Sequence, residues 1–171
     1  MPTMSQVSPT QYADAAARLV RTPPEQADRI DLRGPSRLPA STGACPIALA
    51  HAMRRLLNGR AFDTLSIEDA DHRFILMAPH QAADVRRTVA RLADIGIDLR
   101  GDLASRGLII DATLIARRGF DATAARQLAS VIADMLEMAG DDAIAVRARR
   151  QVRALCERFR QMQGVGVRDG S

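Results

Sequence analysis

The sequence predicts an α+β domain: a small β-sheet made of two hairpin-like strand pairs, flanked by helices, with an antiparallel αα-hairpin at the C-terminal end. The apolar fraction of 47% and the charged fraction of 26% are typical of globular proteins. Several segments carry apolar residues at helical spacing, and shorter stretches are rich in strand-forming residues. Gly140-Asp141-Asp142 separates the last two helical segments, and so short a connection favours an antiparallel hairpin.

The N-terminal quarter is predicted to lie outside the globular domain. Residues 1–21 form a helical arm, because Ser8-Pro9-Thr10-Gln11 combines a capping residue, an N-terminal proline and a capping-box glutamine. Residues 22–45 contain four prolines and several turn residues, which predict an extended linker. The single α+β domain is therefore expected to span residues 46–163, and residues 164–171 are expected to form a disordered tail.

The first half of the domain is predicted to be a helix, a β-hairpin and a second helix. Pro46 suits the first helical position, and Asn58-Gly59 gives a C-terminal stop. The runs FDTLSIED and HRFILMA predict strands joined by a turn at Asp69-Ala70-Asp71. The next helix is indicated by an apolar stripe of Ala82, Val85, Val89 and Leu92.

The second half is predicted to contain a loop, a strand region and the two helices of the αα-hairpin. Residues 97–106 are expected to form a loop after Gly96. The run GLIIDATLIARR is the most strand-like part of the sequence and predicts one long strand or two short ones. Asp121 or Thr123 then caps the first helix of the αα-hairpin.

The last helix concentrates the positive charge of the protein. Residues 143–162 carry six arginines and one acid, a charge of +5, whereas the whole chain is +4. The arginines, which we predict to bind an anionic partner, are Arg147, Arg149, Arg150, Arg153, Arg158 and Arg160. The opposite side carries an apolar seam at heptad spacing, predicted to pack on another helix through Val152, Leu155, Phe159 and Met162.

The sequence contains no recognisable catalytic, cofactor-binding or metal-binding motif. There is no lysine, which excludes P-loop and Schiff-base chemistry by residues of this chain. The histidines are His51, His72 and His80, and no two share i, i+4 spacing. A zinc site shared by Cys45 and His51 is the weaker interpretation, and Cys45 is expected to be structural. We therefore expect no cofactor and no metal.

Three carboxylates could still carry chemistry. Asp69 and Asp71 flank a turn beside His72, where a carboxylate next to an imidazole could serve acid–base chemistry. Aspartate is also common in turns, and we favour the turn. Asp111 interrupts the apolar run LIIDATLI. The favoured interpretation places it in water on an edge strand or at a break. The alternative is a buried functional carboxylate, which would need an arginine partner.

These observations favour a non-enzymatic bacterial regulatory or adaptor/assembly protein that binds an acidic partner through its Arg-rich helix. The first alternative is a DNA-binding accessory protein or transcriptional regulator that uses the C-terminal helix pair. The second is a subunit of an enzyme complex. Two widely spaced cysteines and the absence of a signal peptide or apolar span favour a cytoplasmic protein, which we expect to form a homodimer without inserting into membranes.

Overall fold

The computed structural model describes residues 28–33, 44–68, 70–77 and 84–165, with side chains up to residue 159. The predicted helical arm therefore lies outside the described residues, as does most of the predicted tail. The same holds for Asp69 and His80, and for the side chains of Arg160 and Met162.

Six strands and five helices are present in the described residues, which confirms the predicted α+β class. The strands are β1 (Ile30–Asp31), β2 (Thr64–Ser66), β3 (Arg73–Met77), β4 (Ile97–Asp98), β5 (Arg100–Asp102) and β6 (Gly107–Asp111). The helices are α1 (Pro46–Gly59), α2 (Val85–Asp94), α3 (Ala112–Arg117), α4 (Ala122–Glu137) and α5 (Asp142–Val165). None of these helices is long and apolar enough to cross a membrane.

The main sheet has four antiparallel strands in the spatial order β2-β3-β6-β5. Ile75 at its centre pairs with Leu65 on one side and with Ile109 on the other. One face of this sheet is fully buried against helices through Phe74, Leu76, Leu108 and Ile110. The predicted hairpin of β2 and β3 is confirmed, and a second, two-stranded sheet pairs β1 with β4 in parallel.

Aspartate side chains accept hydrogen bonds from backbone N–H groups at the starts of four helices: α2, α3, α4 and α5. Asp84 accepts hydrogen bonds from the backbone N–H groups of Arg86 and Arg87 and so caps α2. Asp121 accepts from the N–H of Ala124 at the start of α4, which settles the predicted choice between Asp121 and Thr123. Such caps satisfy N–H groups that have no partner within the helix.

The predicted αα-hairpin consists of α4 and α5. Phe120, just before α4, stacks on Phe159 near the far end of α5, with ring centroids 4.4 Å apart. The start of one helix therefore meets the end of the other, as an antiparallel pair requires. Gly140, in the connection, has a φ of +129°, a conformation that favours glycine.

Two local predictions are wrong. The run GLIIDATLIARR is a strand only as far as Asp111, because the Asp111 carboxylate accepts from the N–H of Thr113 and starts α3. Residues 97–106 contain β4 and β5 instead of a continuous loop. Ile97 and Leu99 are buried there, so burial outweighs the polar, loop-like composition of the segment.

Residues 28–33, within the predicted linker, pack on the domain core. Ile30 and Leu32 are buried, and their N–H groups donate to the carbonyls of Gly96 and Asp98 over 2.7 and 2.8 Å. The division into arm, linker and domain stays a prediction. The described part of the linker range nevertheless contributes a strand and two side chains to the folded unit.

Candidate functional site

Asp111 is buried where the main sheet meets α3. It is the last residue of β6, directly opposite Arg73 on β3, and is only 4% exposed. The expectation that Asp111 lies in water is therefore wrong. One carboxylate oxygen accepts from the Thr113 N–H over 2.9 Å, and the other lies 3.4 Å from Nε of Arg73. Both contacts compensate the negative charge that burial would otherwise disfavour.

Two polar atoms beside this carboxylate are buried without a hydrogen-bond partner: Nε of Arg73 and Oγ1 of Thr113. Nε of Arg73 is close enough to Asp111 for an ion pair but is not aligned for a hydrogen bond. Among the described residues, Asp111 is the one ionic partner of Arg73, whose side chain is 33% exposed. The guanidinium therefore retains N–H donors that a ligand could use.

The second face of the main sheet, here called the open face, is not fully buried. Its side chains come from Leu65, Arg73, Ile75, Met77, Arg100, Asp102, Ile109 and Asp111. The four apolar side chains are partly or largely exposed, and Leu65 reaches 47%. An antiparallel sheet that faces only water usually presents polar side chains, so an apolar surface of this kind indicates an interaction or ligand-binding surface.

The arginines of the last helix mostly contact their own chain. Side-chain ion pairs join Arg147 to Asp134, Arg153 to Asp28 and Arg158 to Asp121, at 3.7, 3.0 and 3.3 Å. Arg149 donates to the carbonyl of Asp94 over 2.6 Å, and burial lowers its pKa despite the nearby Asp94 carboxylate.

Arg150 is exposed, and Arg160 lies beyond the described side chains. Binding of an anionic partner by these arginines stays a prediction. Of the predicted seam, Val152, Leu155 and Phe159 are buried within this single chain.

The other candidate residues do not form a common site in the described part of the chain. Cys45 and His51 are both exposed, while His72 accepts the Ala112 N–H through its backbone carbonyl. Asp71 is exposed in the turn before β3. Within the described ranges, no group of three or more His, Cys, Asp or Glu side chains is arranged to hold a metal ion.

Arg73, the partner of Asp111, was not identified from the sequence. Strands β3 and β6 are separated by a helix and two further strands, so no short turn fixes their register. The one usable signal was the need of a buried carboxylate for an arginine, which indicates the residue type but not the position.

Comparison with known proteins links the chain to an enzyme. No protein-family model matches it. It is 29% identical over 119 residues to the serine hydroxymethyltransferase of Acinetobacter baylyi, covering 64% of this chain and 28% of the relative. The enzyme of that name from Alcanivorax borkumensis is 31% identical over the same shares. That of Alteromonas mediterranea is 30% identical over 122 residues, or 66% of this chain and 29% of the relative.

The chain thus spans less than a third of the length of the curated relatives it matches. Even so, the expectation of a non-enzymatic regulatory or adaptor protein is wrong, because these relatives are enzymes and the similarity covers about 64% of this chain. The charge pattern of one helix had suggested that role. In the fold, three of the six arginines, Arg147, Arg153 and Arg158, are paired with acids of the same chain.

Proposed function

We propose that this protein acts as a domain of a cytoplasmic enzyme related to serine hydroxymethyltransferases. The observation that carries the proposal is the similarity of about two thirds of the chain to proteins of that name. The reaction named there moves a hydroxymethyl group to or from serine. Because the chain spans under a third of those relatives, we propose that it supplies one part of the catalytic unit.

The open face is suited to contact a substrate or another part of an enzyme. It combines an apolar surface with Arg73, whose charge is balanced by the buried Asp111. The sequence has no lysine, so any step that needs a side-chain amine falls to residues outside this chain. The role of the domain is then to bind and orient rather than to form a covalent intermediate through such an amine.

We propose that the arginines of α5 bind an acidic protein surface. Among those described, Arg150 is the best candidate, because its side chain is exposed. Both an acidic protein and a nucleic acid fit the sequence, but similarity to enzymes supports the protein. Such a surface belongs either to the rest of the enzyme or to a second copy, and a homodimer is the assembly that we propose. Sedimentation of the purified protein at several concentrations tests the dimer.

The enzymatic role is tested with serine labelled at its carboxyl carbon, which stays in glycine when the hydroxymethyl group leaves. Soluble extract of source cells that lack the gene is incubated with this serine, with and without the purified protein. We expect added protein to increase the formation of glycine, the product that remains when the hydroxymethyl group leaves. Leu65→Glu on the open face should abolish the increase. Leu103→Glu, at a leucine that is 57% exposed outside that face, should preserve it. No increase with wild-type protein would contradict the proposal.

A further inference from the structure

We propose that the edge strand β2 pairs with β2 of a second copy of this protein, antiparallel across a two-fold axis at Leu65, so that the two main sheets form one continuous sheet. The inference deepens the proposed function, because it rests on the proposed homodimer and names the surface that joins its two copies. It starts from the backbone groups of β2 that point away from the sheet.

β2 leaves a regular set of backbone groups without a partner. The Met77 N–H donates to the Asp63 carbonyl over 2.9 Å, so these two residues form a hydrogen-bonded pair. Such pairs alternate along an antiparallel ladder, so Leu65 bonds to β3 while Thr64 and Ser66 direct their N–H and C=O groups outward. β2 is the last strand of the main sheet on this side, and no hydrogen bond within the described residues uses these outward groups.

The two edges of the main sheet differ in how they are protected. Natural edge strands often carry charged side chains or prolines, which prevent further strand pairing. At one edge, β5 presents the charges of Arg100 and Asp102. At the other edge, β2 has neither a charge nor a proline, and its central Leu65 is 47% exposed. The β2 edge is therefore the one that can accept another strand.

The sequence of β2 is complementary to itself in an antiparallel arrangement. With the axis at Leu65, Thr64 of each copy lies opposite Ser66 of the other, and the outward groups of these residues form four hydrogen bonds. The two Leu65 side chains meet on the open face, where each covers part of the other. The apolar strip of Leu65, Ile75 and Ile109 then continues across both copies.

A groove beside the start of β2 fits a side chain of the second copy. It has a volume of about 560 Å³, and the residues that line it include Phe62, Asp63, Leu65 and Met77. The same pairing places Ile67 of the second copy opposite Asp63, on the face that carries Leu65. Ile67 is only partly buried in its own chain. An isoleucine from each copy can therefore fill the groove of the other.

Charges beside the strand favour a second copy over an unrelated strand. Arg54 on α1 donates to the hydroxyl group of Thr64 over 3.2 Å, and the exposed Glu68 follows Ser66 by two residues. Within the described residues, neither Arg54 nor Glu68 has an ionic partner. Because Ser66 of one copy lies opposite Thr64 of the other, the pairing brings each Glu68 to the side of the partner strand that carries Arg54. Two ion pairs can then form across the axis.

Disulfide trapping tests the pairing. At the axis the two Leu65 residues form a pair without hydrogen bonds, in which the Cα atoms lie about 4.5 Å apart, close enough for a disulfide. In a Cys45→Ser background, which removes the exposed native thiol, we expect Leu65→Cys to give a covalent dimer on oxidation with diamide. Leu103→Cys is the matched control: Leu103 is 57% exposed but lies outside β2, so this variant should form little covalent dimer.

Sedimentation measures the same contact without a covalent bond. Because the paired strands are short, we expect a dissociation constant of about 10–100 µM for the wild-type protein. Ser66→Pro removes two of the four hydrogen bonds and none to β3, because the Ser66 N–H points outward. It should weaken dimerisation at least about tenfold while the circular dichroism spectrum stays that of the folded protein. Leu65→Lys should also dissociate the dimer without altering the backbone, because it places two like charges at the axis.

Two results would overturn the inference: a monomer at all concentrations up to about 1 mM, or a dimer in which Leu65→Cys gives no more covalent dimer than Leu103→Cys. The first would also contradict the proposed homodimer, whereas the second would assign that dimer to another surface. Cross-links from Leu65→Cys to a different protein of the cell extract, with no covalent dimer, would assign the edge to that protein and likewise overturn the inference. The proposed enzymatic role fails separately, through the glycine measurement.

Discussion

The Arg29 guanidinium donates two hydrogen bonds to the Asp98 carboxylate, from Nε over 2.8 Å and from Nη2 over 2.6 Å. Asp98 lies in β4 and is 4% exposed. Its hydrogen bonds raise the pKa of Arg29 although burial acts in the opposite direction. The pair fixes the segment of residues 28–33 to the domain, next to the pairing of β1 with β4.

Arg29→Gln should lower the free energy of unfolding by about 3 kcal/mol, because Asp98 would stay buried with its main partner removed. The loss should not be larger, since Arg33 lies 3.7 Å from the same carboxylate. Urea denaturation measures the change. Arg33→Gln is the control: its side chain is 54% exposed, so we expect a loss below about 1 kcal/mol. Equal losses in the two variants would show that the bidentate pair has no special role.

We expect the contact between the Phe120 and Phe159 rings to contribute most to holding the αα-hairpin on the domain. Both are almost fully buried, so Phe159→Ala should lower the free energy of unfolding by about 3–5 kcal/mol, through lost burial and the cavity that remains. Glu157→Gln, at an exposed position of the same helix, should change it by less than about 0.5 kcal/mol. A small effect of Phe159→Ala in thermal and urea unfolding would mean that α5 contributes little to the fold.

The sequence was informative where local patterns decide the structure. Pro46, Asp121 and the apolar seam around Leu155 predicted helix starts and a buried helix face, because capping and helical period act within a few residues. The β2–β3 hairpin was predictable for the same reason, since its two strands are neighbours in the chain.

The remaining features depend on residues far apart in the sequence. Asp111 could be recognised as unusual, but its cap on α3 and its contact with Arg73 follow from the pairing of β3 with β6. Likewise, Ile30 gave no strand signal of its own among prolines and turn residues, and it is buried because β4 is available to pair with it. Arginine spacing was least reliable, since the acids that balance Arg153 and Arg158 lie on other segments.

Gly107→Ala should lower the free energy of unfolding by about 1–3 kcal/mol. An added Cβ would lie 2.9 Å from the backbone oxygen of Leu76 and would collide with the Ile75 side chain across the strand pair. The backbone atom cannot move without disturbing the sheet. Gly59→Ala is the control, because nothing lies within 4 Å of the new methyl group at the end of α1, and it should be neutral or slightly stabilising. Chemical denaturation measures the free energy of unfolding of both variants. Equal values for Gly107→Ala and Gly59→Ala would contradict the packing argument.

Ser105→Ala should raise the pKa of Asp102 towards the ordinary aspartate value of 3.8. In the folded protein the Ser105 hydroxyl donates to the Asp102 carboxylate, and the Ala104 N–H donates to its other oxygen over 3.1 Å. These bonds favour the charged form and lower its pKa, the serine contributing most. A lowered pKa stabilises the fold at pH values above the ordinary one, and this contribution disappears as the pH falls through the folded value.

Acidification below about pH 4 removes the stability that the charged Asp102 contributes. The Ser105→Ala variant should therefore lose less unfolding free energy over this pH range than wild type does. The ¹³C chemical shift of the Asp102 carboxyl group, followed from pH 6 to pH 2, gives its pKa directly, because this range covers the change from the charged to the neutral form. Ser66→Ala, at an exposed serine in β2, should leave that pKa unchanged. An unchanged Asp102 pKa in Ser105→Ala would assign the effect to the backbone N–H groups of residues 104 and 105 and contradict the serine hydroxyl as its main cause.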